Sequence, residues 1–310
     1  MNDLAVVLLA HADGRQLQRL VSSLDGLPIF LHCDVKTEPG QYALMADLSE
    51  RVTMLPRTDA RLSSWSLVTA ELLGLRAALS STQAAHVAVM SGACYPLMTV
   101  PDLLESLRPW QGHSYFFNRP LPYSFWNTKR RHDGGEWRMR YPVLTRRGNV
   151  VMLHTLPVHW PFKRDIPEGL ELRASSQWKI YSREHVELLL RVADSRPDLM
   201  RFWRSTFVPD ESFAASILSS PALVGSAALR PCLANPWHYE WEPEGDHPRW
   251  LEDADFDLLE ELRFSPDLGP EAAFLENESQ EPKHRKLFAR KFSSTRGSAL
   301  LDRIDTELRQ

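Results

Sequence analysis

Seven consecutive apolar residues, Leu4-Ala5-Val6-Val7-Leu8-Leu9-Ala10, constrain this chain more than any other stretch. A strand wet on one face alternates apolar and polar side chains. An unbroken run needs cover on both faces, as in a parallel sheet sandwiched between helices. Asp13-Gly14 then makes a turn, and residues 16–24 place Leu17, Leu20, Val21 and Leu24 on one helical stripe. The pattern repeats with a strand over 28–34 ending in Asp34, a strand over 52–55, a helix over 66–79 and a strand over 86–90 followed by Ser91-Gly92. Such alternation predicts a doubly wound α/β domain. In that architecture ligands sit at the carboxyl ends of the strands, where His32, Asp34, Ser91, Gly92 and Cys94 fall.

Residues 110–172 change character, with many aromatics, prolines and arginines. They predict irregular loops and short strands, an aromatic and basic lobe on the acceptor side. Residues 183–192 and 252–262 read as helices, and 298–308 as a short amphipathic helix. Residues 269–283 are acidic and poor in apolar side chains, which predicts an exposed insertion. No internal repeat breaks the expectation of one domain over 1–310. Within it, the expected parts are 1–109, 110–250 and 251–310.

Net charge is −4, so no global basic field draws the chain to nucleic acid. Cys33, Cys94 and Cys232 are too few and too scattered for a disulfide framework or a zinc knuckle, and a reducing compartment is the simplest expectation. The run 4–10 is far short of a membrane span and lacks the basic start of a signal peptide. The expected location is therefore the cytoplasm or the inner face of a membrane. Ten tryptophans offer faces for sugar rings, and serve a core equally well. Gly-x-Gly-x-x-Gly, the P-loop and Gly-x-Ser-x-Gly are absent, which argues against a Rossmann dehydrogenase, a P-loop NTPase and an α/β-hydrolase.

Two segments carry chemistry. In Phe207-Val208-Pro209-Asp210-Glu211-Ser212-Phe213, paired carboxylates precede a helix-like run. A carboxylate there is rigidly held and suits a general base; the plainer reading is Asp210 as an N-cap and Glu211 as a first-turn acid. In Lys286-Leu287-Phe288-Ala289-Arg290-Lys291-Phe292, two cations lie between phenylalanines. They suit a departing diphosphate, or form an ordinary solvated basic pair. Asp34 at a strand end suits a ribose or base group, or is a turn acid. Asp253, Asp255 and Asp257 mimic a metal-holding Asp-x-Asp element but lie in a helix-like stretch, and no His pair has zincin spacing, so no metal is expected.

Taken in order, several segments resemble the core-2/I-branching β-1,6-N-acetylglucosaminyltransferase family, which includes peptide O-xylosyltransferases. These are Leu8-Leu9-Ala10-His11, Phe30-Leu31-His32-Cys33-Asp34-Val35-Lys36, Ser64-Trp65-Ser66-Leu67-Val68, Ser91-Gly92-Ala93-Cys94-Tyr95-Pro96-Leu97, Ser176-Gln177-Trp178, Pro209-Asp210-Glu211 and Phe288-Ala289-Arg290-Lys291-Phe292. The resemblance implies a GT-A-like mixed sheet with helices on both faces, a UDP-sugar co-substrate, inversion and no metal. It also implies that 1–109 is a nucleotide-binding half, 110–250 an acceptor and catalytic half, and 251–310 a segment closing the diphosphate site. It matches Glu211 to the catalytic base and Lys291 to a cation on the diphosphate. Arg249 is matched to a second such cation, with Arg290, Asp34, His11, Ser91 and Gly92 on the donor side. Asp210, Trp178, Trp237, Tyr239, Trp241 and Cys94 are matched to acceptor or sugar contacts.

Cys94 stands where the family usually has Asp, Ser175 replaces a Gly, and residues 269–283 are an unusual insertion. Without the anchor and cysteines of animal Golgi members, the chain looks like a bacterial member. The implied function is transfer of N-acetylglucosamine from UDP to a hydroxyl of a glycan or glycolipid in surface or secreted polysaccharide synthesis. Xylosyl transfer, or a non-catalytic nucleotide-sugar-binding protein on the same fold, are the alternatives. The basic residues 129–141 fit an anionic acceptor and a solvated face equally.

Overall fold

The structure is a computed structural model that describes residues 3–129, 131–154, 156–242, 247–274 and 281–310. The apolar run forms β1 (Leu4–Ala10), wholly buried at the centre of the main sheet. It pairs in parallel with β2 (Ile29–Cys33), which pairs with β3 (Thr53–Met54), and on its other edge with β4 (His86–Ser91). A short strand β5 (Cys94–Pro96) leaves this sheet, and β6 (Lys179–Ser182) returns to it antiparallel to β4. The order β6-β4-β1-β2-β3 is therefore a mixed α/β sheet. A second, three-stranded sheet joins β5 to β7 (Trp237–His238) and β8 (Phe288–Arg290), in the order β7-β8-β5.

Helices cover both faces because β1 points alternate residues into two cores. Leu4, Val6 and Leu8 pack with Leu17, Leu20 and Val21 of α1 (Gly14–Ser23). Ala5, Val7 and Leu9 pack with Val68, Ala70 and Leu75 of α2 (Trp65–Ser81), and with Val186 and Leu189 of α3 (Arg183–Ser195). Gly74 lets α2 approach closely, since a Cβ there would lie 2.2 Å from Val7 Cγ1. The second core continues into α4 (Pro197–Arg204) and α5 (Phe213–Leu218), the latter buried at all six positions.

The remaining expectations meet the structure unevenly. The stretch 252–262 divides into a 3-10 turn, Asp253–Asp255, and α6 (Phe256–Arg263). The stretch 298–308 is α7 (Ser298–Arg303) running into a π-helical turn, Ile304–Leu308. Residues 110–172 do hold short strands among loops, including Asn118–Pro120 paired with Arg173–Ser175. The exposed insertion holds at Glu271, Ala272, Glu281 and Lys283 but not at Pro270, Ala273 and Phe274, and its residues 275–280 lie outside the described residues. Its flanks are built in. Ala273 and Phe274 are buried, with Phe274 set edge-on to Trp110 at 6.0 Å. Glu281 accepts from Asn235 N at 2.7 Å and from the buried Lys286 Nζ at 2.6 Å. Averaged polarity hid the apolar pair Ala273-Phe274. No helix among the described residues is long and apolar enough to cross a membrane.

Candidate active site

Glu211 sits on a tight turn whose bend is set by Val208, in the left-handed region at φ 52°, followed by Pro209 at the start of the 3-10 turn Pro209–Glu211. Two backbone bonds hold the approach: Phe207 N donates to Arg138 O at 3.1 Å and Val208 N to Ser63 O at 3.1 Å. The turn leads into α5, which is anchored on every side. Glu211 stays about a quarter exposed, and Arg138 Nη1 donates to its Oε2 at 2.8 Å. The Arg138 guanidinium lies 4.2 Å above the Trp126 ring.

Asp210 points the other way. It is 2 % exposed, no group of the described residues donates to its Oδ1, and it makes no capping bond. Burial, reinforced by the neighbouring Glu211 charge and opposed by Lys179, pushes its carboxyl up to about 7. Lys179 is wholly buried, and its Nζ donates to Asp210 O and Gln177 O at 3.0 Å each. Glu71 Oε1 lies 3.8 Å from that ammonium and accepts from Tyr181 Oη at 2.6 Å. A buried lysine thus bolts β6 and α2 to the turn that carries Glu211. Asp210 is thereby placed in the interior rather than at an acceptor surface.

The second chemical segment converges on the same place. Arg290, opposite Cys94 across β8 and β5, is largely buried with its guanidinium 4.6 Å from the Trp178 ring. Its Nε meets no acceptor among the described residues. Burial lowers its pKa, and the charge of Glu211 acts on it in the opposite sense. Tyr239 also feels Glu211 and Arg290, accepts from Asn235 Nδ2 at 3.0 Å, and has its pKa raised by burial. Lys291 turns to the other side, with Nζ 4.3 Å from the Trp250 ring. Burial first, then Arg290, lowers its pKa. Neither cation is the freely solvated surface pair that composition allows.

Arg249 is engaged elsewhere. Its Nε donates to Glu240 Oε2 at 2.9 Å and its Nη1 to Asp255 Oδ2 at 2.8 Å, so two carboxylates hold one guanidinium. Asp34 is buried and accepts from Lys36 N at 2.7 Å, Lys36 Nζ at 2.8 Å and Ala60 N at 3.1 Å, pinning its own loop. His11 is exposed beyond β1, next to Asp13, whose carboxylate accepts from Ser293 and Ser294 behind Lys291. Ser91 Oγ lies 3.5 Å from the buried Cys94 Sγ. Gly92 has no positive φ, and a Cβ there would make ordinary contact with Leu17 and Ala10, so the helix is what it faces. Trp237 is buried and stacked on Phe288 at 4.9 Å, while Trp241 is exposed and set edge-on to Tyr239.

Glu211, Arg290 and Tyr239 thus act on one another electrostatically, Trp178 lies against Arg290 and Lys291 is adjacent, while no contact joins His11 to them among the described residues. Arg138 and Lys179 belong to the site and were not singled out from sequence. Lys179 had a usable signal, a lysine inside the apolar strand Trp178-Lys179-Ile180-Tyr181. Arg138 had none beyond a basic neighbourhood. Among the described residues no group of three or more His, Cys, Asp or Glu is placed to hold a metal ion.

A mixed α/β sheet thus carries a partly exposed carboxylate, Glu211, on a rigid turn, with the partly buried cations Arg290 and Lys291 on a second segment. The chain belongs to the Core-2/I-Branching enzyme family, whose profile matches residues 10–263. It is accordingly a glycosyltransferase, a class that uses a nucleotide-sugar donor and a glycan acceptor. No curated protein matches it. Among solved structures, it is similar to a Bacillus anthracis protein described as a glucose-1-phosphate thymidylyltransferase, with sucrose bound, at 9 % identity and TM-score 0.30 over 65 % of this chain and 82 % of that one. It is also similar to HddC from Yersinia pseudotuberculosis at 12 % identity and TM-score 0.27 over 59 % and 79 %. Similarity this slight says nothing about function.

Proposed function

We propose that this glycosyltransferase moves N-acetylglucosamine from UDP to a glycan hydroxyl, with inversion and without a metal, in bacterial surface or secreted polysaccharide synthesis. The carrying observation is that Glu211 stays partly exposed on a rigid turn, with Arg138 holding one of its carboxylate oxygens at 2.8 Å. Glu211 takes the proton of the acceptor hydroxyl, and the oxygen attacks the anomeric carbon from the face opposite the diphosphate. The bond from that carbon to the diphosphate oxygen breaks, and its electron pair leaves with UDP. Arg290 and Lys291 meet the developing negative charge, the task a divalent ion performs elsewhere. Arg138 fixes the orientation of the base.

Arg249 takes a structural part in this reading, because its donors are spent on Glu240 and Asp255. Cys94, enclosed in the core, lends nothing to a purely binding role. Thermal unfolding with EDTA present throughout tests the donor site. UDP and one UDP-sugar should raise Tm. A shift that appears only after manganese is added would overturn metal independence. No shift with any UDP compound would overturn the donor assignment.

A further inference from the structure

The geometry points to a membrane-docking surface: the face formed by the hairpin Met152–Leu153/Leu156–Pro157 and the following residues Trp160 and Phe162 lies against an anionic lipid bilayer. Apolar side chains concentrate there. Leu153 is 66 % exposed, Leu156 56 %, Trp160 55 % and Phe162 76 %, with Val151 and Met152 exposed beside them. Leu153 and Leu156 are direct partners across the hairpin, so they project to one side. Scattered exposed apolar residues need no explanation, but six of the eleven exposed large apolar side chains among the described residues fall within 151–162, a concentration that marks a place where something binds.

Charge selects the occupant. From Trp137 to Arg164 the sequence has six Lys or Arg and no Asp or Glu, in a chain of net charge −4. Arg138 and Arg140 are spent on Glu211 and Glu136, and Arg164 donates to Phe202 O, Ser205 Oγ and Thr206 Oγ1. Arg146 and Arg147 at the tip of the neighbouring hairpin, and Lys163 beside Phe162, are exposed. Leucine, tryptophan and phenylalanine with exposed cations on the neighbouring hairpin and beside Phe162 are what an interface of acyl chains and anionic headgroups takes up.

The projection is rigidly founded. Val143 N donates to Ser205 O at 2.8 Å, Val150 N to Ser64 Oγ at 3.0 Å, and Ser66 Oγ to Asn149 Oδ1 at 2.6 Å. Ser63 O in turn accepts from Val208 N, at the bend that leads into Glu211. Docking would therefore fix the catalytic turn relative to the bilayer; that it presents a lipid-borne acceptor to Glu211 rests on the transfer reading above.

Flotation of the full chain with phosphatidylcholine vesicles, with and without phosphatidylglycerol, tests the docking itself. The chain should float with the anionic vesicles only, and high salt should release it. Leu153→Ser/Leu156→Ser/Phe162→Ser should abolish flotation, and Arg146→Glu/Arg147→Glu should weaken it about tenfold or more. UDP-sugar hydrolysis in vesicle-free buffer should be unchanged in both variants, which separates loss of docking from loss of chemistry. Failure of the wild-type chain to float with anionic vesicles overturns the proposal, as does equal flotation of the variants. So does a self-associated species that the triple serine variant dissolves without changing flotation, since the face would then belong to a second copy of the chain.

Discussion

Arg138 Nη1 donates to Glu211 Oε2 at 2.8 Å, joining two segments 73 residues apart. The bond occupies one carboxylate oxygen and leaves the other for chemistry, while Trp126 supports the guanidinium from behind. If Glu211 is the base, as proposed, Arg138 positions it. Arg138→Ala should lower kcat by about 10- to 100-fold, the cost of a misplaced catalytic group, and leave UDP affinity within about twofold. Steady-state kinetics beside calorimetric UDP titration separates the two effects. Arg138→Lys should recover part of kcat, since a merely structural loss would not respond to charge.

Asp210 gives the chain a pH signature. Its folded pKa, about 7, lies above its unfolded value because burial and the Glu211 charge favour the protonated form. The stabilisation is fully present below the unfolded value and is lost as pH rises through about 7. The buried His32, His86 and His185 and the partly buried His238, whose pKa values burial lowers, act in the opposite sense as pH rises through their ordinary range. The informative quantity is thus the difference between wild type and Asp210→Asn. Thermal unfolding at pH 5 and pH 8 should show the wild type losing stability relative to Asp210→Asn at the higher pH.

Lys179 has no solvent access and holds Asp210 O and Gln177 O, with Glu71 3.8 Å away. Removing one partner of a buried cluster leaves the others uncompensated. Lys179→Met should cost about 3–5 kcal/mol, read as a lower urea midpoint at unchanged slope. A cost below about 1 kcal/mol would mean that Glu71 and the turn relax without it.

The three candidate phosphate cations should separate. Arg290→Ala and Lys291→Ala should each weaken UDP binding about tenfold or more, as expected for charge-assisted contacts. Arg249→Ala should leave UDP affinity near wild type and lower Tm, since it parts Glu240 from Asp255. Isothermal titration of all three variants with UDP decides this.

Sequence made β1, β2 and β4 legible because each is a mainly apolar run followed or preceded by a striped helix, and β1 and the helix around Leu67 to Leu79 stand close to their expected bounds; β6, interrupted by Lys179, was not foreseen as a strand. The small β7-β8-β5 sheet was not legible, since two- and three-residue strands leave no periodicity. Glu211 and Arg290 could be named as chemistry-bearing residues, but their meeting depends on non-local pairing of Arg290 with Cys94. Arg249 looked available because sequence does not show that Glu240 and Asp255 close on it. Asp210 and Glu211 were adjacent equals in the chain, and only the turn separates a buried acid from an accessible one.

The most direct test of the account is turnover of UDP-N-acetylglucosamine by Glu211→Gln in EDTA, measured beside UDP affinity of the same protein. The account predicts that turnover, including slow hydrolysis without acceptor, falls by about 100-fold or more while the UDP dissociation constant stays within about twofold. Turnover close to wild type in that variant would contradict it, and the base would have to lie elsewhere.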